Sequence, residues 1–150
     1  MARQKHTFNP TQSISLTISI TGEQAVQVDS HGGRELGSNV VVITDHVAVY
    51  VYDLAALATY ANGWIDPAVT ANHQLPEQAE HFGTGPEFTP GVIIRAHGRD
   101  EIDHTYDVTR QVMIIKIGQV RWLVHDRVGY RTMSAAWAKD IGQIMLFSRR

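Results

Sequence analysis

The sequence predicts an α+β domain: an antiparallel sheet with two main helices, arranged as two pseudo-symmetric β-hairpin–helix units from an internal duplication. Three observations predict it. Apolar and polar residues alternate in several short segments, the period of a half-buried strand. Twice, an aspartate closes such a segment and is followed by apolar residues at steps of three and four, one face of a helix. These two passages also echo each other. Val47, Val51, Asp53, Thr59 and Trp64 recur as Val120, Val124, Asp126, Thr132 and Trp137, at a constant shift of 73 residues.

Each element has its own reason. From Ser13 to Ile20, Ile14, Leu16, Ile18 and Ile20 alternate with Ser13, Ser15, Thr17 and Ser19, which predicts a first strand. Thr21-Gly22-Glu23 is a turn and Ala25 to Asp29 a short second strand. Ser30 to Asn39 carries three glycines and reads as a loop. Val40 to Thr44 and Val47 to Tyr52 are strands joined across Asp45-His46. Asp53 then caps a helix whose face is Leu54, Leu57, Ala61, Trp64 and Ala68, with a break at Asp66-Pro67.

The stretch from Asn72 to Pro90 is polar and proline-rich, with one helical turn expected at Pro76 to His81. Gly91 to His97 is a strand, and Gly98 to Asp107 reads as a charged loop. Thr109 to Ile117 and Val120 to His125 form a hairpin across Gly118-Gln119, where a leading glycine suits a type II′ turn. Asp126 caps the last helix, whose face is Tyr130, Met133, Trp137, Ile141 and Ile144. The expected organisation is one domain over 1–150: unit one at about 13–72, a linker at about 73–90, and unit two at about 91–147.

The echo assigns the sheet faces. Two-residue turns put Val42 opposite Val49, Val41 opposite Tyr50, Ile115 opposite Trp122, and Lys116 opposite Arg121. One face then carries Val40, Val42, Val47, Val49 and Val51, matched by Met113, Ile115, Ile117, Val120, Trp122 and Val124, and should receive the helices. The other carries Val41, Ile43, Tyr50 and Tyr52, matched by Ile114, Lys116, Arg121, Leu123 and His125. A solvated sheet face should be polar; this one is apolar in its first half and needs cover.

Composition bounds the function. A 43% apolar and 19% charged content is that of a globular protein. No apolar run approaches the ~18 residues of a spanning helix. Met1 to Gln12 has no apolar core of a secretory signal and reads as a short basic tail. With no cysteine, disulfides, thiolate nucleophiles and cysteine metal sites are excluded, which fits a cytoplasmic protein. A net charge of −2 offers no global basic field for nucleic acid. Charge is unevenly spread: residues 1–75 hold three Lys/Arg against six Asp/Glu, and residues 76–150 hold ten against nine.

Motifs for catalysis are thin. The densest titratable cluster is His97, Asp100, Glu101, Asp103, His104 and Asp107. Its spacing matches no helix-borne ligand motif, so it reads as solvated charge; its alternative is a small metal-assisted enzyme on His97, Asp100, Asp103 and His104. The glycine-rich His31-Gly32-Gly33-Arg34 and Gly83-Thr84-Gly85-Pro86 lack the phosphate-loop lysine and the dinucleotide fingerprint. Arg95, Arg99, Lys116, Arg121, Arg127 and Arg131 could line a nucleic-acid path, but Trp122 should point to the helix and neighbouring acids neutralise the region.

The expectation is therefore a non-catalytic accessory protein of phage or mobile-element type. It would bind a protein partner or itself as a homodimer, without cofactor, membrane or nucleic acid. Its contact residues would be Tyr50, Tyr52, Lys116, Arg121, Leu123 and His125.

Overall fold

The computed structural model describes residues 15–31, 39–44, 46–79 and 91–148. The basic tail, the glycine loop core, Asp45 and the end of the linker fall outside them, as do the side chains of Ile141 and Ile144. The elements run β1 (Leu16–Ile20), β2 (Gln27–His31), β3 (Asn39–Ile43), β4 (Val47–Val51), α1 (Leu54–Ile65), α2 (Ala68–Gln74), β5 (Val92–Ala96), β6 (Ile102–Asp107), β7 (Val112–Ile117), β8 (Val120–Val124) and α3 (Arg127–Ser148).

The fold is α+β, with two main helices and the short α2, but the sheet differs from expectation. Among the described residues there are two four-stranded sheets, ordered β1-β8-β7-β6 and β2-β3-β4-β5. Both are mixed: β1 runs parallel to β8 and β5 parallel to β4, while the other pairs are antiparallel. Each sheet is thus three consecutive strands plus one from the other half of the chain. Parallel neighbours need a long crossover, and hairpin spacing alone carries no trace of one.

A second correction concerns Gly98 to Asp107, read as a loop. Its latter part is β6, with Ile102, His104 and Tyr106 half-buried, facing Ile117, Ile115 and Met113. Asp107 closes the strand by accepting from the Thr109 and Arg110 amides at 3.0 and 3.2 Å. Gln111, at φ +54, then turns the chain into β7. The expected turn at Pro76 is not helical over residues 76–79.

The hairpin registers are those expected, Val42↔Val49 and Val41↔Tyr50, Ile115↔Trp122 and Lys116↔Arg121. Gly118 sits at φ +58 and Gln119 does not share the positive φ, the signature of a type II′ turn. Inward residues of both sheets join one core with the helices. Val42, Val49, Val51, Ile115, Trp122 and Val124 are 2% exposed or less, as are Trp64 and Trp137. Helix α1 packs on β6 and β7 and reaches β4, α3 packs on β2, β3 and β8, and the helices pack on each other. Trp64 meets Trp122 edge-on at 5.5 Å, and Tyr60 meets Trp137 at 4.9 Å.

The two helix starts are built alike. Asp53 accepts from the Ala56 amide at 2.7 Å and, across the fold, from the Gly98 amide after β5 at 2.7 Å. Asp126 accepts from the Gly129 amide at 2.8 Å and from the Gly22 amide after β1 at 2.9 and 3.1 Å. Six residues on, Thr59 accepts from the Asp100 amide at 3.3 Å and Thr132 from the Gln24 amide at 3.2 Å. The repeated Asp and Thr thus tie each helix to the strand arriving from the other half.

Candidate interaction face

Having two sheets divides the expected contact residues. Tyr50 and Tyr52 belong to the outer side of the β2–β5 sheet, whereas Lys116, Arg121, Leu123 and His125 belong to that of the β1–β6 sheet.

On the second of these sheets, charge dominates. Lys116 and Arg121 are exposed and directly paired, a like-charge contact that is mildly unfavourable. Their row continues to Thr17 on β1 and to Asp103 on β6, which stands across from Lys116. Asp103 supplies an acidic neighbour within the sheet itself. Leu123 and His125 are half-buried.

On the β2–β5 sheet the outer row runs Asp29, Val41, Tyr50, Arg95. Val41 is fully buried, so the middle of this face is not available for contact. Exposure grows toward β5: Tyr50 and Tyr52 are half-buried, Arg95 and His97 are exposed, and Ile93 is 62% exposed. Here the rings form a stack. Tyr52 lies on His97 with centroids 4.5 Å apart and planes within 5°, and Tyr50 follows Tyr52 at 6.3 Å and 16°.

Local chemistry sets this stack. The Tyr52 amide donates to the Ala96 carbonyl at 3.1 Å, and the next residue, Asp53, accepts from Gly98 at 2.7 Å. Two bonds between adjacent residue pairs hold the end of β4 beside the end of β5 and lay the imidazole on the phenol. Gly98 adopts φ +70, a left-handed conformation that favours glycine. The Ala56 and Gly98 amides, with His97 nearby, hold the Asp53 carboxyl below its usual range.

The alternative set of His97, Asp100, Asp103 and His104 is not gathered. His97 stacks on Tyr52, at the outer side of the β2–β5 sheet. Asp100 packs against the turn at Gly118, where an added Cβ would fall 2.9 Å from its Oδ2. Asp103 and His104 are consecutive on β6 and project to opposite faces. Among the described residues, no three His, Asp or Glu side chains form a group that could hold a metal.

Two clefts flank the helices at matching places. One, of about 870 Å³ between α1 and the β5–β6 turn, is lined by Thr59, Asn62, Arg99, Asp100, Glu101 and Asp103 among others. The other, of about 360 Å³ beside α3, includes Gln24, Val26, Val28, Thr132, Ala136 and Lys139. The first is acidic and the second largely apolar.

The sequence did not point to Ile93 and Arg95 as companions of the tyrosines, because parallel pairing of β4 with β5 leaves no local signal. The exposed alternation Ile93, Arg95, His97 was the one available hint. Comparison with protein-family models, curated proteins and solved structures finds no match to this chain. Among the described residues no helix is long and apolar enough to cross a membrane.

Proposed function

We propose that the chain is a non-catalytic protein-binding module, with the open end of the β2–β5 sheet as its contact face. The observation that carries this reading is the Tyr50–Tyr52–His97 stack, flanked by Arg95 and the exposed Ile93. Tyrosine and arginine are enriched where proteins meet, because a large ring or planar cation buries much area while ordering few torsions. Stacking fixes these rings beforehand, which lowers the entropy lost on contact.

The reading includes an internal duplication: one β-β-β-β-α unit built twice, its first strands exchanged between sheets. Supporting it are the five identities, the paired Asp and Thr ties, and the like burial of β1 and β5, in which alternate positions face inward. Laying β1 on β5 through their pairing with β8 and β4, a shift of 76 residues, and keeping the 73-residue shift elsewhere, Ile93, Arg95, His97, Tyr50 and Tyr52 correspond to Thr17, Ser19, Thr21, Leu123 and His125. One scaffold thus carries an aromatic face and a mostly polar one, and divergence of that kind marks the first as the specialised surface.

Affinity capture with the wild-type chain and with Tyr50→Glu/Tyr52→Glu, matched for melting temperature, tests the reading. Proteins retained by the wild type should be lost with the double variant. Identical retention would overturn the assignment of this face.

A further inference from the structure

Among the described residues β5 has one strand neighbour, β4. The Val92 amide donates to the His46 carbonyl at 2.7 Å, and the Ala96 carbonyl accepts from Tyr52 at 3.1 Å. In a parallel ladder alternate residues bond to the same neighbour. Val92, Ile94 and Ala96 therefore face β4, and the main-chain N–H and C=O groups of Ile93 and Arg95 face outward. These two residues also have exposed side chains. Edge strands are normally blunted by charge, proline or bulges. Val-Ile-Ile-Arg-Ala has one charge and none of the other devices. At the matching positions β1 carries Thr17 and Ser19, both polar.

We propose that β5 pairs antiparallel with β5 of a second copy of this chain, about a two-fold axis at Ile94. The proposal deepens the protein-binding reading and rests on it, naming the partner as the chain itself. Bonding registers must set outward residues opposite outward residues, which leaves three choices. Pairing Arg95 with its own copy opposes like charges. Pairing Ile93 with its own copy forms one central bonded pair and leaves Arg95 facing the strand entry at Gly91. Pairing Ile93 with the partner copy's Arg95 forms two bonded pairs, uses all four outward groups of each strand, and lays each arginine stem over an exposed isoleucine. The charges are then staggered, and −2 per chain gives little mutual repulsion. Both aromatic stacks come to lie on the same side of one continuous sheet.

Sedimentation velocity over a concentration series tests this on the full chain. The wild type should be a reversible dimer. Ile93→Pro removes an outward donor and no bond to β4, a place where an edge strand tolerates proline; Ile93→Lys leaves the backbone alone and adds charge. Each should raise the dimer dissociation constant about tenfold or more, with melting checked by circular dichroism. Ser19→Pro, a proline at an outward position of β1, should leave the dimer intact. A wild type that stays monomeric overturns the proposal, as does a dimer indifferent to both Ile93 variants or equally weakened by Ser19→Pro. A monomer that still captures another protein through Tyr50 and Tyr52 overturns self-pairing while the broader reading of the face stands. A dimer lost in Ile93→Pro, with capture indifferent to the tyrosines, upholds self-pairing and removes that reading.

Discussion

At the residue scale, two aspartates occupy the same role with different burdens. Asp126 is fully buried and accepts from three amides, Gly22 (shared between both carboxylate oxygens), Ala79 and Gly129. Asp53 is exposed and accepts two. An exposed cap is worth about 1 kcal/mol, and each buried donor left unpaired costs roughly 1–3 kcal/mol. Chemical denaturation should therefore show Asp53→Ala losing about 1 kcal/mol and Asp126→Ala about 3 kcal/mol or more; equal losses would contradict the difference in burial. The Asp53 pKa is depressed on folding, so its contribution is complete above the ordinary value of 3.8 and is lost as pH falls through the lower folded value. The melting-temperature gap between wild type and Asp53→Asn should shrink as pH falls below 3.8. Both caps were legible in the sequence, because an aspartate between a strand and a helical face has few other tasks. Their second role, holding Gly98 and Gly22 across the fold, was not, since it depends on the pairing of β5 with β4 and of β1 with β8.

At the scale of elements, the approach of α1 to β7 is set by one glycine. A Cβ at Gly63 would fall 2.8 Å from both Cγ1 and Cδ1 of Ile117. Gly63→Ala should cost about 1–3 kcal/mol by overpacking, despite the better helix propensity of alanine. Ile117→Val removes one of the two clashing atoms, so the double variant should recover part of the loss, read as a coupling in a double-mutant cycle. Strict additivity would contradict this account of the helix–sheet contact. From sequence, Gly63 reads as a weak point in the helix; its use as a site of close approach depends on which sheet α1 lies upon. The hairpins β3–β4 and β7–β8 were legible to the register, because short turns and alternating valines fix pairing locally. Strand β6 was hidden by its charges. Asp103 and Asp107 suggested a loop, while the inward set of Ile102, His104 and Tyr106 carried the period that mattered.

For the whole molecule, the pairing of β1 with β8 and of β5 with β4 decides where function can reside. It divides the expected contact face into a charged side around Lys116 and Arg121 and an aromatic side around Tyr50, Tyr52 and His97. No local pattern encodes that division, because it joins segments far apart in the chain. His97 shows the consequence. It belongs to the densest titratable cluster, for which a metal site was the alternative to solvated charge, yet the Gly98 turn sends His97 and Asp100 apart, the imidazole to Tyr52 and the carboxylate to Gly118. The most direct test of the self-pairing face is hydrogen exchange at the outward amides of β5, measured at low and high protein concentration. Exchange at Ile93 and Arg95 should slow as concentration rises, while Thr17 and Ser19 on β1 remain unchanged. Concentration-independent rates at all four amides would contradict the account.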